Sequence, residues 1–525
     1  MPELAGLPLD VQNLIFSYIR RRSDVKALYE TCKDFYDIVI PRIYRSIRLR
    51  ESVPISTLCA FLNLENRALV HVRHIEVVDD AETKDRAAYE NVLHLLANQL
   101  PRDILLSFNI DKTRPIKRSI TLALHQRQRS LQTLRYESSV HGVGWNVPNG
   151  LNVEAITRLQ FMIDAHHYLK HARNSRKLKQ TDELHRATAS KNIINTLIGE
   201  GDCGVDERRS QVFVHDQRAN LKSLRALRLH GLNLSGVAVG LLEAVDMRYL
   251  TSLNLQYCEH EVSLLRMLAA NEDRKCERLR HLAIVQGPET PTTSERNNDA
   301  LNNFLASFSS LETLIISAPK TLALKPWLGA VASHAKTLRV LYLDCKAGQG
   351  GEQYDFEEIE DELSKCLKLE QIALNFFDLP LDADFFCAGL VVESVIDALA
   401  TLPLIRTLQI LNLPNPSTDH QLRHNRTGFV FVETSIKTVA EYFFDALPGV
   451  TALAVGKCSS RQGQIAKLLD RDRTFYVRGR LVAPDGEVSA AAIEVSKQRV
   501  HEVEAASDLL DLEPEKRLVR YGQKD

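Results

Sequence analysis

Leu224-Arg225-Ala226-Leu227-Arg228-Leu229, Leu250-Thr251-Ser252-Leu253-Asn254-Leu255 and Leu279-Arg280-His281-Leu282-Ala283-Ile284 are three copies of one six-residue pattern, apolar-x-x-apolar-x-apolar. Its fourth and sixth residues lie two apart, the spacing that puts side chains on one face of a β-strand. The same hexad begins upstream at Val72, Leu105, Leu131 and Ile156, and downstream at Leu311, Leu338, Leu369, Ile405 and Val450. Starts between Leu224 and Ile405 are spaced by 26, 29, 32, 27, 31 and 36 residues. The intervening segments carry helical spacing. Leu301, Phe304, Leu305 and Phe308 precede Leu311, and Ile359, Leu363, Cys366 and Leu367 precede Leu369.

One strand–helix unit cannot stand alone. Three apolar strand residues contribute roughly 1.5–3 kcal/mol each on burial. Ordering some two dozen residues costs about 1–2 kcal/mol per residue in backbone entropy alone. Neighbouring units must therefore stack and share a core. This hexad, at a period of about 20–29 residues or somewhat more, resembles the leucine-rich repeat. The resemblance implies an α/β solenoid of the ribonuclease-inhibitor-like kind, with parallel strands inside and helices outside. The array is degenerate: the Asn or Cys expected three residues after the last strand apolar is clear only at Cys258.

Composition bounds the function. The 525 residues are 44% hydrophobic and 25% charged, with a net charge of −1. A general nucleic-acid or membrane-surface binder would carry a basic excess. No apolar run approaches the roughly 18 residues that span a bilayer. The opening Met1-Pro2-Glu3-Leu4 lacks the basic n-region of a secretory signal. None of the nine cysteines forms a Cys-x-x-Cys pair, so neither a disulfide framework nor a structural zinc site is expected. A soluble protein of the cytoplasm or nucleus follows.

Two stretches break the period. Residues near 164–215 read as an insertion, with a helix around 182–198 and a mobile loop near 199–212. After about 470, residues 473–483 and Pro484-Asp485-Gly486 read as strand and turn. Residues 487–511 read as a helix, followed by a charged tail. The expected domains are 1–49, 50–470 and 471–525.

Residues 7–49 do not fit the hexads. Leu7-Pro8 puts proline at a helix start. Val11, Leu14, Ile15, Tyr18 and Ile19 form one helical stripe, closed by Arg20-Arg21-Arg22. Ser23 is the expected cap of a second helix bearing Val25, Leu28 and Cys32. A third helix carries Phe35, Ile38 and Val39, and Pro41 is expected to end it. Three helices in about 40 residues bury too little surface to stand alone; they must dock on the solenoid or on a partner.

The run Leu7-Pro8-Leu9-Asp10-Val11, with Leu14-Ile15, Tyr18-Ile19, Ser23-Asp24-Val25, Leu28, Cys32-Lys33, Phe35 and Pro41-x-x-Tyr44, resembles an F-box. It is similar to the version in filamentous-fungal F-box proteins, where Pro-x-x-Tyr and an apolar strand, here Ile47 and Leu49, lead into leucine-rich repeats. Asp10 stands where Glu is commoner, and Cys32-Lys33-Asp34-Phe35 lacks an aromatic or second basic residue often found there. The resemblance implies a non-catalytic substrate receptor of an SCF-type ubiquitin ligase. Its F-box would dock a Skp-family adaptor, and through it a cullin, while its repeats hold a protein substrate. The implied adaptor contacts are Leu7, Pro8, Val11, Leu14, Ile15, Tyr18, Leu28 and Phe35, some of which must instead hold the three helices together. Substrate contacts are expected between the buried strand apolars: Arg228, Asn254, Gln256, Tyr342, Asn375 and Gln409, with Arg135, Gln160 and Asp344 beside them. The alternative is a repeat scaffold whose N-terminal helices are a structural cap.

Signals for chemistry are weak. His166, His167 and His171 lack a completing ligand set apart from Asp164, and a basic run follows them. Gly348-Gln349-Gly350-Gly351 precedes an acidic stretch rather than the Lys and Ser/Thr of a phosphate loop. Basic residues over 112–129 read as a solvated face able to attract an acidic or phosphorylated partner. No metal, cofactor or catalytic set is expected.

Overall fold

A computed structural model describes residues 6–19, 22–31, 33–50, 53–63, 66–78, 86–111, 118–139, 156–164, 190, 221–270, 276–286, 294–318, 325–345, 361–374, 396–411, 426–456, 474–482, 484–496 and 500. The fold is mixed α/β with a parallel-dominated sheet. The chain forms two compact units, Met1–Asp246 and Met247–Asp525.

The first unit opens with three helices, α1 (Leu9–Ser17), α2 (Arg22–Thr31) and α3 (Lys33–Tyr44). Strands β1 (Ser46–Arg50), β2 (His74–Val78), β3 (Ser107–Asp111), β4 (Thr133–Ser139), β5 (Arg158–Asp164) and β6 (Ala226–His230) follow in spatial order, every neighbouring pair parallel. Between them run helices α4 (Ile55–Phe61), α5 (Arg86–Gln99) and α6 (Arg118–Arg127), with α7 (Ala238–Ala244) after β6. Consecutive helices pack side by side, α4 on α5 and α5 on α6.

The second unit continues the scheme. Strands β7 (Ser252–Gln256), β8 (His281–Val285), β9 (Thr313–Ala318), β10 (Val340–Cys345), β11 (Gln371–Leu374), β12 (Thr407–Ile410) and β13 (Ala452–Val455) are parallel neighbours in that order. Helices α8 (Glu261–Ala270), α9 (Ser294–Ala306) and α10 (Lys325–Ala332) pack in sequence, and α11 (Arg426–Ala446) precedes β13. An antiparallel hairpin, β14 (Thr474–Val482) and β15 (Val488–Val495), ends the sheet.

All twelve hexads fall on strands, in one register within each unit. Within the first unit the fourth residues align as Ile75, Phe108, Leu134, Leu159 and Leu227. Within the second they align as Leu253, Leu282, Leu314, Leu341, Ile372, Leu408 and Leu453. Every first hexad residue, from Val72 to Val450, is at most 4% exposed. A slip of one residue would turn all of these outward, so burial of one face fixes the register. The backbone pattern recurs too: the amides of hexad positions two and three both donate to the carbonyl of position two on the preceding strand. Leu106 and Ser107 bond Arg73 in this way, and Glu312 and Thr313 bond Arg280. Hydroxyls just ahead of the hexads span neighbouring coils; Thr337 Oγ1 donates to Leu311 O at 2.7 Å and Ser310 Oγ to Leu279 O at 2.8 Å. Cys258 is buried, with its Sγ 3.6 Å from Gln256 O.

Several local expectations are corrected. Residues 488–495 are strand, not helix: β15 pairs over eight residues with β14 across a turn in which Gly486 has φ +88°. An apolar, Ala-rich stretch carries no decisive period, and the tight turn settles it as a hairpin. Helix α1 ends at Ser17, before the arginines, and Pro8 precedes its first turn. Helix α2 begins at Arg22, so Ser23 lies inside it. Pro41 lies inside α3, which runs on to Tyr44. That extra turn carries Ile43 against the head's core. The expected insertion helix and loop lie outside the described residues apart from Ser190, a buried residue whose Oγ accepts from Asn233 N at 2.9 Å.

Candidate functional site

Two surfaces of the first unit stand out, and each includes residues the sequence marked.

The first is the three-helix head. Its core is Phe16, Val25, Phe35 and Val39, with Ile19, Leu28, Ile38 and Ile43 packed around it. Phe16 meets Phe35 edge-on at 5.2 Å between ring centroids. Gln12 is buried as well; its Nε2 donates to Leu7 O at 2.7 Å, so the side chain pins the segment before α1 to the helix. The buried side of α1 is therefore Gln12 and Phe16, shifted about one residue from the apolar stripe. The stripe itself is largely bare: Val11 is 39% exposed, Leu14 58% and Tyr18 77%. Pro8 is exposed, and Leu7 and Ile15 are half-buried. The eight residues expected to touch a partner are thus divided. Leu7, Pro8, Val11, Leu14, Ile15 and Tyr18 retain an accessible side. Leu28 and Phe35 belong to the head's own core. Leu9 and Tyr36, 59% and 47% exposed, join the open set and were not foreseen. Phe16 was missed because Gln12 interrupts the apolar reading of the face it shares.

The second surface is the sheet face opposite the buried apolars. In the first unit, hexad position five forms a continuous row across six strands: Arg48, Glu76, Asn109, Arg135, Gln160 and Arg228. Glu76, Asn109 and Arg228 are half-buried and Arg48 is exposed. Arg48 and Glu76 pair across β1 and β2 at 3.4 Å. His74, two residues before Glu76, lies 2.8 Å from Ser107 Oγ through Nδ1. Burial, then the charges of Arg45 and Arg73, holds its imidazole pKa below the ordinary value.

In the second unit the same row is Asn254, Ala283, Ile315, Tyr342, Ala373, Gln409 and Ala454. Ala283, Ile315, Val340, Tyr342, Ala373 and Leu411 form a buried cluster, and Ala452, Ala454, Phe475 and Val500 another. Burial divides the expected substrate contacts. Gln256 and Tyr342 are each 5% exposed and Gln409 1%, with Gln409 Nε2 donating to Gly456 O at 3.1 Å. Asp344 is buried and accepts from Ser317 Oγ at 3.1 Å. A row rich in Ala and Ile packs into the chain's own interior and takes its polar members with it. Arg228 and Asn254 remain half-buried. Asn375 lies outside the described residues, as do His166, His167, His171 and Gly348–Gly351. Among the described residues no group of three or more His, Cys, Asp or Glu could hold a metal ion, and no helix is long and apolar enough to cross a membrane.

No protein-family model matches this chain, and no curated protein matches it either.

Proposed function

We propose that the chain is a non-catalytic substrate receptor of an SCF-type ubiquitin ligase, in which the three-helix head docks a Skp-family adaptor and the hexad strands, read as leucine-rich repeats, hold a protein client. The observation that carries the reading is the division of the head's apolar residues. Four of them close a core of their own, while Leu9, Val11, Leu14, Tyr18 and Tyr36 stay exposed on helices too few to need them. An exposed apolar group of this kind on a small helical head is the usual mark of a protein interface. The mechanism is proximity: tethering raises the effective concentration of client at the ligase, and the receptor breaks no bond itself.

Co-purification with a Skp-family adaptor tests the docking. Val11→Asp/Leu14→Asp should abolish capture by a folded chain, and Leu7→Ala/Pro8→Ala should weaken it. Equal recovery of all three proteins would overturn the reading.

One observation favours the alternative, a head that only caps the sheet. Helix α3 passes into β1 through Arg45 alone, and the Arg45 carbonyl accepts from the amides of Arg73 and His74. Deleting residues 1–45 would remove that carbonyl and lower thermal stability under either reading. Only a cap, however, leaves adaptor capture absent in the intact chain.

A further inference from the structure

Hexad positions two, three and five mark the amino-terminal half of the open sheet face and its rim. Over β1 to β6 these eighteen positions hold seven arginines and one carboxylate, Glu76, a net charge of +6 with histidine neutral. Arg45, Arg48, Arg158 and Arg225 are exposed, and Arg73 and Arg228 are half-buried; Arg135 shares the register row. The whole chain carries −1, so this is a local concentration of charge, not a property of composition. The same three positions over β7 to β13 hold Arg280, Arg339 and Arg406 against Glu312 and Glu370, alternating along the rim and pairing at 3.1 and 2.8 Å. The second unit's rim alternates in sign; the first unit's eighteen positions hold one carboxylate among seven arginines.

Strands in a sheet lie about 4.8 Å apart, so six of them span about 24 Å, the length of about seven extended residues. The arginines fall in two groups, Arg45, Arg48 and Arg73 on β1 and β2, and Arg135, Arg158, Arg225 and Arg228 on β4 to β6; one strand spacing is less than the Debye length of about 8 Å, so each group acts on a ligand together. Seven cations that are all arginine, none lysine, suit carboxylates, which the planar guanidinium grips with two parallel bonds. The eighteen positions include no Phe, Tyr or Trp on which nucleic-acid bases could stack.

We infer that the amino-terminal half of the β1–β6 sheet face binds an acidic, extended polypeptide segment. This names the client chemistry of the receptor and rests on that reading for its biological use, but the binding itself needs no adaptor.

The test uses the full-length chain and three fluorescent probes: a twelve-residue peptide alternating Glu with Ser, its Lys–Ser counterpart, and a twelve-nucleotide single-stranded DNA. The acidic peptide should bind tightest, and its affinity should fall at least tenfold between 50 and 300 mM salt. Arg158→Glu/Arg225→Glu should weaken it at least tenfold and Arg158→Gln/Arg225→Gln at least threefold, the latter checked for an unchanged melting curve. Arg280→Glu/Arg339→Glu, on the rim of alternating sign, should change it less than twofold. Binding of the acidic peptide no tighter than the basic one, equal affinity after charge reversal, or tighter binding of the DNA would each overturn the inference. Failed peptide binding with intact adaptor capture sinks this inference alone; retained peptide binding with no adaptor capture sinks the docking reading alone.

Discussion

In each unit the strands run parallel in one register over one buried apolar face, yet the opposite faces of the two units have contrary fates. Row five reads Arg48, Glu76, Asn109, Arg135, Gln160, Arg228 in the first unit, and Asn254, Ala283, Ile315, Tyr342, Ala373, Gln409, Ala454 in the second. The first row is polar and, where its burial is described, half-buried or exposed; most of the second is sealed. One side of a parallel sheet is enough to hold its strands together. What the second side does is then set by six or seven residues that the strand itself does not constrain, and the first unit leaves them polar.

The sharpest way to break this contrast is to charge row five in each unit. Ile315→Asp places an unpaired carboxylate inside a sealed cluster and should cost about 4 kcal/mol or more. Asn109→Asp, at the same row in the half-open face, should cost under about 1 kcal/mol. Urea unfolding of both variants checks this, and equal costs would mean that the two faces are not differently covered.

A smaller effect should come from two histidines. His334 is wholly buried against the Phe308 ring, centroids 4.9 Å apart, and desolvation pulls its pKa from 6.5 to about 4, although the Leu305 and Ser309 carbonyls favour the charged form. The unfolded chain therefore takes up the proton first. Stability that is complete above pH 6.5 is lost as the pH falls toward 4, by about 3 kcal/mol in all. Buried Glu261, hydrogen-bonded by Gln286, is shifted upward by desolvation and works in the opposite sense. The measurement is accordingly the difference between wild type and His334→Leu across that range. His74→Gln, on the open face, removes a shift of the same sign and should change the pH profile in the same direction but by less.

The smallest effect should be at the rim. Arg339 meets Glu370 through two bonds of 2.8 and 3.0 Å, whereas Arg48 and Glu76 approach to 3.4 Å, and all four are substantially exposed. Double-mutant cycles should give about 0.5 kcal/mol for the first pair and less for the second, both shrinking in 0.5 M salt. A coupling above about 2 kcal/mol at either would mean that the rim is a structural clamp.

Much of the framework was legible in the residues. Leu224-x-x-Leu227-x-Leu229 and its eleven counterparts marked strands, and Leu301, Phe304 and Leu305 marked the buried side of a helix. Hairpin strand β15 was misread because Val488–Val495 offers neither a clean two-residue nor a clean helical period. Phe16 was overlooked because a buried Gln12, satisfied by Leu7 O, sits on its face. Gln128 escaped notice for a similar reason: it is buried where a neighbouring coil would carry an apolar residue, and its side chain accepts from the Ile104 and Leu105 amides at 3.1 and 3.0 Å. Such polar residues are disguised as surface until their hydrogen-bond partners are known.

By itself the sequence determined where the twelve hexad strands fall, which of their faces must be dry, and that the first forty residues are helical, because these follow from local periodicity and the area each element must bury. The tertiary structure alone decided which polar strand residues meet solvent and which head residues meet each other. Gln409 and Arg228 occupy the same position of the same hexad; only the packing of residues far away in the chain leaves one inside and the other half open.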